Sequence, residues 1–182
     1  MKIQDNFLPE EKFKNLQKYC DQNDFRIYEA GDKLFSILKT PSDIIGPLLE
    51  TGYKLILTFI REAYDGFDNS ARIHADGIIN NQKCDLAKVL YINNPDYVTP
   101  NGTAFWEHHK LGPELPEDVT DEEFNRLLIE DSNNLDLWKQ TDFVESKPNR
   151  LLTYNANCFH SKWPCNIDKG KRIVLVAFFS KI

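Results

Sequence analysis

From residue 53 onward the chain is a succession of short apolar segments separated by turn residues, and this rhythm limits the folds open to it. Several segments are apolar on both alternating faces, which predicts strands covered on both sides. The predicted strands are residues 53–62, 72–79, 85–92, 103–108, 143–146, 150–155, 159–160 and 171–180. Many short strands with helices kept to one end indicate a mainly β protein with flanking helices and a double-stranded β-helix (jelly-roll) core.

The first 52 residues have a different pattern, which predicts an N-terminal α/β annex to the core at 53–182. A helix is expected after Pro9, because proline suits a first helical turn. Two strands then flank a turn at Gly31–Asp32, and a second helix is expected to be capped by Ser42 and to end near Gly52. A length of 182 residues suits a single domain.

Two features interrupt the strands. Pro95 ends the third strand, because proline cannot continue a hydrogen-bonded ladder. Residues 109–142 are acidic and contain two prolines, with one expected helix at 121–130. This segment is interpreted as a lid-like insertion that determines substrate choice, because loops on such barrels cover the mouth of the site.

Composition excludes several classes of function. Twenty-eight acidic residues against twenty-two basic ones give a net charge of −6, which disfavours a nucleic-acid partner. The sequence has neither an apolar run of about 18 residues nor an apolar leader, so no membrane association is expected. The four cysteines are scattered, which favours free thiols and a cytoplasmic location.

His74 and Asp76 stand two residues apart in a predicted strand, so their side chains are expected to project from one face. They could be metal ligands or simply a hydrogen-bonded surface pair. His160, beyond an apolar strand, could be a third ligand or a satisfied polar residue. Arg172 begins the most apolar strand, where it either marks an exposed strand start or points inward. A guanidinium in an apolar interior is costly unless an anion meets it.

The order of these four residues, with Arg172 twelve residues after His160, resembles the 2-oxoglutarate- and Fe(II)-dependent oxygenases. Two further segments, Val89–Asn93 and Gly102–Phe105, resemble that superfamily, and Pro148–Tyr154 resembles its prolyl-4-hydroxylase-like branch. The resemblance covers residues 53–182. One departure is that no serine or threonine follows Arg172 on its own face of the strand.

The resemblance implies an enzyme with a defined set of site residues. His74, Asp76 and His160 would bind Fe(II) as a facial triad, which leaves positions for the co-substrates 2-oxoglutarate and O2. Arg172 and Tyr91 would hold the 5-carboxylate of 2-oxoglutarate, with Tyr64 a further cofactor-binding candidate. The implied reaction hydroxylates an amino-acid or peptidyl side chain, or a small metabolite, and converts 2-oxoglutarate to succinate and CO2.

Two other classes of protein compete with this hypothesis. The first is a cupin-like or jelly-roll module that binds a metal or ligand without oxygenase turnover, but cupins usually supply His-x-His where this chain has His-x-Asp. The second is a structural jelly roll in which the triad is accidental. His108 and His109 cannot both be ligands, because neighbours in a strand face opposite ways. They are expected to be bystanders, unless one lines the substrate mouth.

Overall fold

The computed structural model describes residues 1–30, 33–68, 70–93 and 98–182. The turn predicted at Gly31–Asp32 and the strand end predicted at Pro95 lie outside these residues. The strands are β1 (Lys2–Gln4), β2 (Arg26–Ala30), β3 (Lys33–Lys39), β4 (Tyr53–Tyr64), β5 (Ile78–Ile79), β6 (Gln82–Lys83), β7 (Leu86–Tyr91), β8 (Gly102–His108), β9 (Trp138–Glu145), β10 (Leu151–Asn155), β11 (His160–Trp163) and β12 (Lys171–Lys181). The helices are α1 (Glu10–Gln22), α2 (Ser42–Leu48) and α3 (Asp121–Arg126), followed by a π-helical turn at Leu127–Asp131 and a 3-10 turn at Leu135–Leu137.

The strands form two antiparallel sheets and one small hairpin. The larger sheet has the order β1-β10-β7-β12-β4-β3-β2, and the smaller has the order β11-β8-β9, while β5 pairs with β6. Crossovers between non-consecutive strands in facing sheets are typical of a jelly roll. The prediction of a mainly β fold with a jelly-roll core is therefore confirmed.

Both faces of the larger sheet are apolar, as its sequence predicted. One face packs against the two N-terminal helices through Phe13, Leu16, Ile44, Leu48, Ile60, Leu90, Leu175 and Phe179. The other face packs against the smaller sheet through Val89, Tyr91, Leu152, Val174, Phe105 and Val144. Among the described residues, no helix has the length and apolar composition needed to cross a membrane.

The N-terminal residues are continuous with the core. Strand β1 pairs with β10, and β3 pairs with β4, so both edges of the larger sheet come from the first 52 residues. Asn149 ties the chain before α1 to the core, because its side-chain amide exchanges two hydrogen bonds with the backbone of Leu8, at 2.8 and 2.7 Å. Helix α2 begins at Ser42 itself, after Pro41, and ends at Leu48, so the predicted cap and end are both displaced.

Two predicted strands differ from the structure. Residues 72–79 are not a continuous strand, because Arg72 adopts a positive φ of 44° and the following backbone groups bond to separate partners. Strand β9 begins at Trp138, so the prediction that strands resume at residue 143 is wrong. Residues 139–142 are polar and exposed on an edge strand, which removes the apolar alternation that would identify them.

The insertion packs on the outer side of the smaller sheet. Leu127 and Trp138 of this region join Ala104, Trp106 and Ile73 in a third apolar cluster. The insertion also reaches the segment that leads to His74. The backbone N–H of Ile73 donates to the carbonyl of Ser132 at 2.8 Å, and that of Arg72 donates to the side chain of Asn133 at 2.8 Å.

His108 contributes a polar contact to this packing. Its Nε2 lies 3.4 Å from Oδ2 of Asp131 in the insertion, and both side chains are buried. Its Nδ1 accepts the backbone N–H groups of Lys110 and Leu111 at 3.3 and 3.2 Å, which requires that this nitrogen carry no proton. Burial lowers the pKa of His108 below its ordinary value, despite the attraction of Asp131.

This lowered pKa predicts that the protein loses stability in mild acid. The unfolded imidazole takes up a proton below about pH 6.5, and the folded one resists it, so stability falls as the pH drops through that value. The variant His108→Gln lacks this titration. Urea unfolding at pH 7 and pH 5 should therefore show a smaller loss of stability in the variant than in the wild type. Equal losses of stability in the two proteins would mean that protonation of His108 is not the cause of the loss in acid.

Candidate metal centre and co-substrate pocket

The backbone brings the three predicted ligands together. His74 and His160 form an isolated antiparallel bridge, in which each backbone N–H donates to the other's carbonyl, at 3.0 and 2.9 Å. The N–H of Asp76 donates to the carbonyl of Ala156 at 2.7 Å. The segment holding His74 and Asp76 is thus fixed against the chain that leads into β11, although it is not a regular strand.

The side chains of these residues converge on a common point. Nε2 of His74 lies 3.5 Å from Oδ1 of Asp76, and Nε2 of His160 lies 3.3 Å from Oδ2. One ligand atom from each residue falls within 4.8 Å of the others. His74 is the most open of the three, with a side chain 30% exposed, against 10% for Asp76.

Backbone carbonyls fix the tautomer of each imidazole. Nδ1 of His74 donates to the carbonyl of Arg72 at 2.7 Å, and Nδ1 of His160 donates to the carbonyl of Cys158 at 2.9 Å. A carbonyl can only accept, so each Nδ1 carries a proton, and Nε2 has a free lone pair whenever the imidazole is neutral. Metal-bound histidines almost always have such a partner on the other ring nitrogen. This donor set therefore fits a divalent first-row metal such as Fe(II).

Burial and mutual charge set the protonation of the triad. Burial, and next the repulsion from His160, lower the pKa of His74 to about 4. Burial alone would raise the pKa of Asp76, but the charge and hydrogen bond of His160 hold it below its ordinary value. Burial would likewise lower the pKa of His160, yet the neighbouring Asp76 raises it. The favoured state is an ionised carboxylate with a neutral His74.

Tyr154 is a site residue that the sequence did not reveal. Its hydroxyl lies 3.0 Å from Nε2 of His160, and its ring packs edge-on against His160 and Phe105. It belongs to an alternating apolar strand, where a tyrosine looks like any other buried aromatic residue. Tyr154 lies six positions before His160 and in a different strand, so spacing along the sequence does not indicate that its hydroxyl reaches the triad.

Arg172 points into the space between the two sheets and is buried, with 7% of its surface exposed. Its Nε donates to Oδ1 of Asn101 at 3.1 Å, and its guanidinium carbon lies 5.8 Å from the centre of the Tyr91 ring. Burial lowers the pKa of Arg172 from its ordinary value, although arginine stays charged in proteins. The structure thus brings Arg172 and Tyr91 together, as predicted, in an interior that favours an anion.

Two polar partners in this pocket come from the start of β8. The hydroxyl of Tyr91 donates to Oγ1 of Thr103 at 2.7 Å, and Asn101 binds Arg172. The sequence showed no hydroxyl residue after Arg172 on its own strand, and Thr103 supplies one from another sheet. Gly102 between them is required, because an added Cβ would lie 2.2 Å from the carbonyl oxygen of Val144.

The structure does not bring the remaining candidates to the triad. Tyr64 pairs with Lys171, on the face of β12 opposite to that of Arg172, and its ring stacks on Phe67 at 5.1 Å. His108 is buried beneath the insertion, and His109 is exposed. The thiol of Cys158, two residues before His160, donates to Glu114 at 3.4 Å, and burial raises its pKa to about 11.

Three other cationic side chains, Arg61, Arg72 and Lys162, lie near the site. Arg61 and Arg72 both pair with Asp68, the second through NH1 to Oδ1 at 3.3 Å. Lys162 follows His160 by two residues in β11. Burial, and next the repulsion from the nearby arginines Arg172 and Arg61, lower its pKa to about 8 against the attraction of Asp68.

Solved structures with the same fold include three proteins that are each at most 13% identical to this chain. The non-haem α-ketoglutarate-dependent carbocyclase SnoK from nogalamycin biosynthesis matches with a TM-score of 0.65 and 12% identity, over 97% of this chain and 78% of that one. A Pseudomonas putida prolyl-4-hydroxylase matches at 0.53 and 13%, over 100% and 92%. An oxidoreductase of the 2OG-Fe(II) oxygenase family from Burkholderia pseudomallei matches at 0.57 and 9%, over 97% and 82%.

No protein-family model matches the sequence, and a search of curated protein sequences finds no significant relative. At these low identities the structural likeness shows the fold alone. The resemblance indicated by the order of His74, Asp76, His160 and Arg172 is confirmed at that level: the chain has the fold of the 2-oxoglutarate- and Fe(II)-dependent oxygenases, prolyl-4-hydroxylases among them.

Proposed function

We propose that this protein is an Fe(II)- and 2-oxoglutarate-dependent dioxygenase. It would hydroxylate an amino-acid or peptidyl side chain, or a small metabolite, while 2-oxoglutarate and O2 are converted to succinate and CO2. The main support is one observation. Two imidazoles of fixed tautomer and one buried carboxylate converge beside a buried arginine, between the two sheets of this fold.

His74, Asp76 and His160 would hold the iron. Bound Fe(II) supplies the binding and activation of O2 and of the 2-oxo acid. The contribution of this chain is to present two deprotonated Nε2 atoms and an ionised carboxylate on one side of the metal. The carbonyls of Arg72 and Cys158 orient the rings, and the Tyr154 hydroxyl provides a polar contact beside His160.

Arg172 and Tyr91 would hold the 5-carboxylate of 2-oxoglutarate. A guanidinium suits a carboxylate because it can donate two parallel hydrogen bonds. Asn101 fixes the guanidinium through its Nε, and Thr103 fixes the Tyr91 hydroxyl. Tyr64 is left out of this pocket, because its ring stacks on Phe67 on another face of the sheet.

Proteins with this fold differ in the substrates they act on. One structural neighbour is a viral collagen prolyl hydroxylase, and another is an epimerase solved with Fe3+, α-ketoglutarate and nogalamycin RO. Both peptidyl and small-molecule substrates are therefore compatible with the architecture. The insertion at 109–142 remains the proposed lid, and we place the reaction in the cytoplasm, without a nucleic-acid partner. The four free cysteines support that location.

A cupin-like or other jelly-roll binding module without turnover is the alternative function. Such a module needs a metal site but has no need for a charged arginine in the interior. The burial of Arg172 beside Tyr91, close to a complete His-Asp-His set, favours the oxygenase. The two functions differ in one product, because only the oxygenase forms succinate.

Removal of a metal ligand should abolish succinate formation. Protein purified without oxygen, then given Fe(II), 2-oxoglutarate and O2, should release succinate even without its prime substrate. The variants His74→Ala and Asp76→Ala should lower that rate by more than about 100-fold, because each removes an iron ligand. His109→Ala, which removes an exposed histidine, is the matched control. Equal release by wild type and His74→Ala, with no Fe(II) binding by either, would refute the oxygenase.

Loss of the buried guanidinium should weaken co-substrate binding specifically. Arg172→Ala should bind 2-oxoglutarate about 100-fold more weakly, the loss expected for two charge-assisted hydrogen bonds, and should keep its affinity for Fe(II). Arg150→Ala is the control, since Arg150 instead binds Asp5 through two hydrogen bonds. Calorimetric titration of both variants gives the comparison. An unchanged 2-oxoglutarate affinity in Arg172→Ala would assign the carboxylate to another cation.

A further inference from the structure

Both imidazoles of the triad are oriented in the same way, by the residue two positions earlier in the chain. Nδ1 of His74 donates to the carbonyl of Arg72, and Nδ1 of His160 donates to the carbonyl of Cys158. The direction in which each Nε2 points therefore depends on where these two carbonyls are held. The insertion at 109–142 contacts the backbone at both places.

The second half of the insertion holds Arg72. Oδ1 of Asn133 accepts the backbone N–H of Arg72 at 2.8 Å, and the carbonyl of Ser132 accepts that of Ile73 at 2.8 Å. Arg72 has a φ of 44°, in the left-handed region that a residue with a Cβ rarely adopts. Such a conformation persists only where the surrounding structure maintains it. The two hydrogen bonds from the insertion thus support the turn that directs the Arg72 carbonyl toward His74.

Residues 131–133, which make up this corner of the insertion, are themselves fixed in place. Two of the three are buried, and the carbonyl of Asp131 accepts the indole N–H of Trp138 at 2.8 Å. The Trp138 ring packs edge-on against Phe159, with 4.9 Å between the ring centres. Because Phe159 directly precedes His160, the corner is anchored beside the second histidine as well as the first.

The first half of the insertion holds the chain on both sides of Cys158. Glu114 and Cys158 form an isolated antiparallel bridge, and the Cys158 thiol donates to the Glu114 carboxylate. The backbone N–H of the residue after Cys158 donates to the carbonyl of Pro113 at 3.0 Å. The carbonyl of the residue before Cys158 accepts the N–H of Leu115 at 2.9 Å. The carbonyl that orients His160 is therefore also held by the insertion.

From these contacts we propose that the insertion positions both metal-binding histidines, and that Asn133 is a positioning residue for His74. The inference rests on the proposed function, because it concerns the same triad and the same metal. The insertion cannot leave the site without releasing the segments that contain Arg72 and Cys158, so it is part of the metal site as well as the proposed lid. Coupling between two sites is reciprocal, so bound metal should in turn order the insertion.

Removal of the Asn133 acceptor should weaken metal binding. In Asn133→Ala the N–H of Arg72 loses this partner, so the His74 ring is less well oriented. The dissociation constant for Fe(II), measured by calorimetry without oxygen, should rise about fivefold. Asn133→Asp keeps an acceptor oxygen and should stay within about twofold of the wild type. Asn134→Ala is the matched control, because the Asn134 side chain accepts the N–H of Asp136 inside the insertion.

Bound metal should also slow amide hydrogen exchange in the insertion. Exchange is read by mass spectrometry on the wild type with and without Fe(II), in the absence of 2-oxoglutarate and O2. Segments 113–115 and 131–134 should exchange at least about fivefold more slowly with Fe(II) bound. Helix α1 is the internal control, because it packs on the other face of the larger sheet. The protection should be lost in His74→Ala, which lacks one ligand.

The outcomes separate this inference from the proposed function. The inference is overturned if Asn133→Ala and Asn134→Ala bind Fe(II) equally well, if Asn133→Asp binds it as weakly as Asn133→Ala, or if Fe(II) leaves exchange in the insertion unchanged. Fe(II) affinity that depends on Asn133, without succinate formation, would keep the inference and remove the oxygenase. Succinate formation with an Fe(II) affinity independent of Asn133 would do the reverse.

Discussion

The buried carboxylate of Asp76 is the group around which the rest of the site is organised. An ionised carboxylate between two apolar sheets is unstable unless charges and hydrogen bonds compensate for the loss of water. Two imidazoles face it directly, and Arg61 adds a more distant positive charge. Backbone carbonyls accept a hydrogen bond from Nδ1 of each ring, so Nε2 is the atom that each ring turns toward Asp76. The protonation of the triad thus depends on how the chain is folded around His74 and His160.

The residues of the site were predicted from the sequence more completely than the local backbone conformation that positions them. His-x-Asp predicted two side chains on one face, and they do meet, although the segment is held by separate bonds to His160 and Ala156 instead of forming a strand. Arg172 was predictable because a charged residue at the start of an apolar strand either marks an exposed strand end or points inward to meet an anion. The strands β4, β7 and β12 were predictable because they are apolar on both faces, and both faces of the larger sheet are indeed covered.

The residues that escaped prediction share a physical cause. Thr103, Asn101 and Tyr154 reach the site from strands remote in sequence, and none has a side chain unusual for a strand or its flank. Their roles depend on which strands face one another, which spacing along one chain does not show. The first half of strand β9, before Phe143, was missed for a different reason, because an exposed edge strand needs no apolar pattern.

The cost of burying charged and polar groups also argues against an accidental triad. A fold that needed only a stable jelly roll would fill the space between its sheets with apolar side chains, as it does at Val89, Leu152 and Phe178. At one end of that space the chain instead buries a carboxylate, the imidazole of His160 and a guanidinium, with the partly exposed imidazole of His74 beside them. Replacing such a set by apolar residues is often neutral or stabilising. The two imidazoles and the guanidinium each also have a dedicated backbone or amide partner, so the arrangement is specified in detail at a cost in stability. A cost of this kind is expected where side chains are held ready for a metal and an anion.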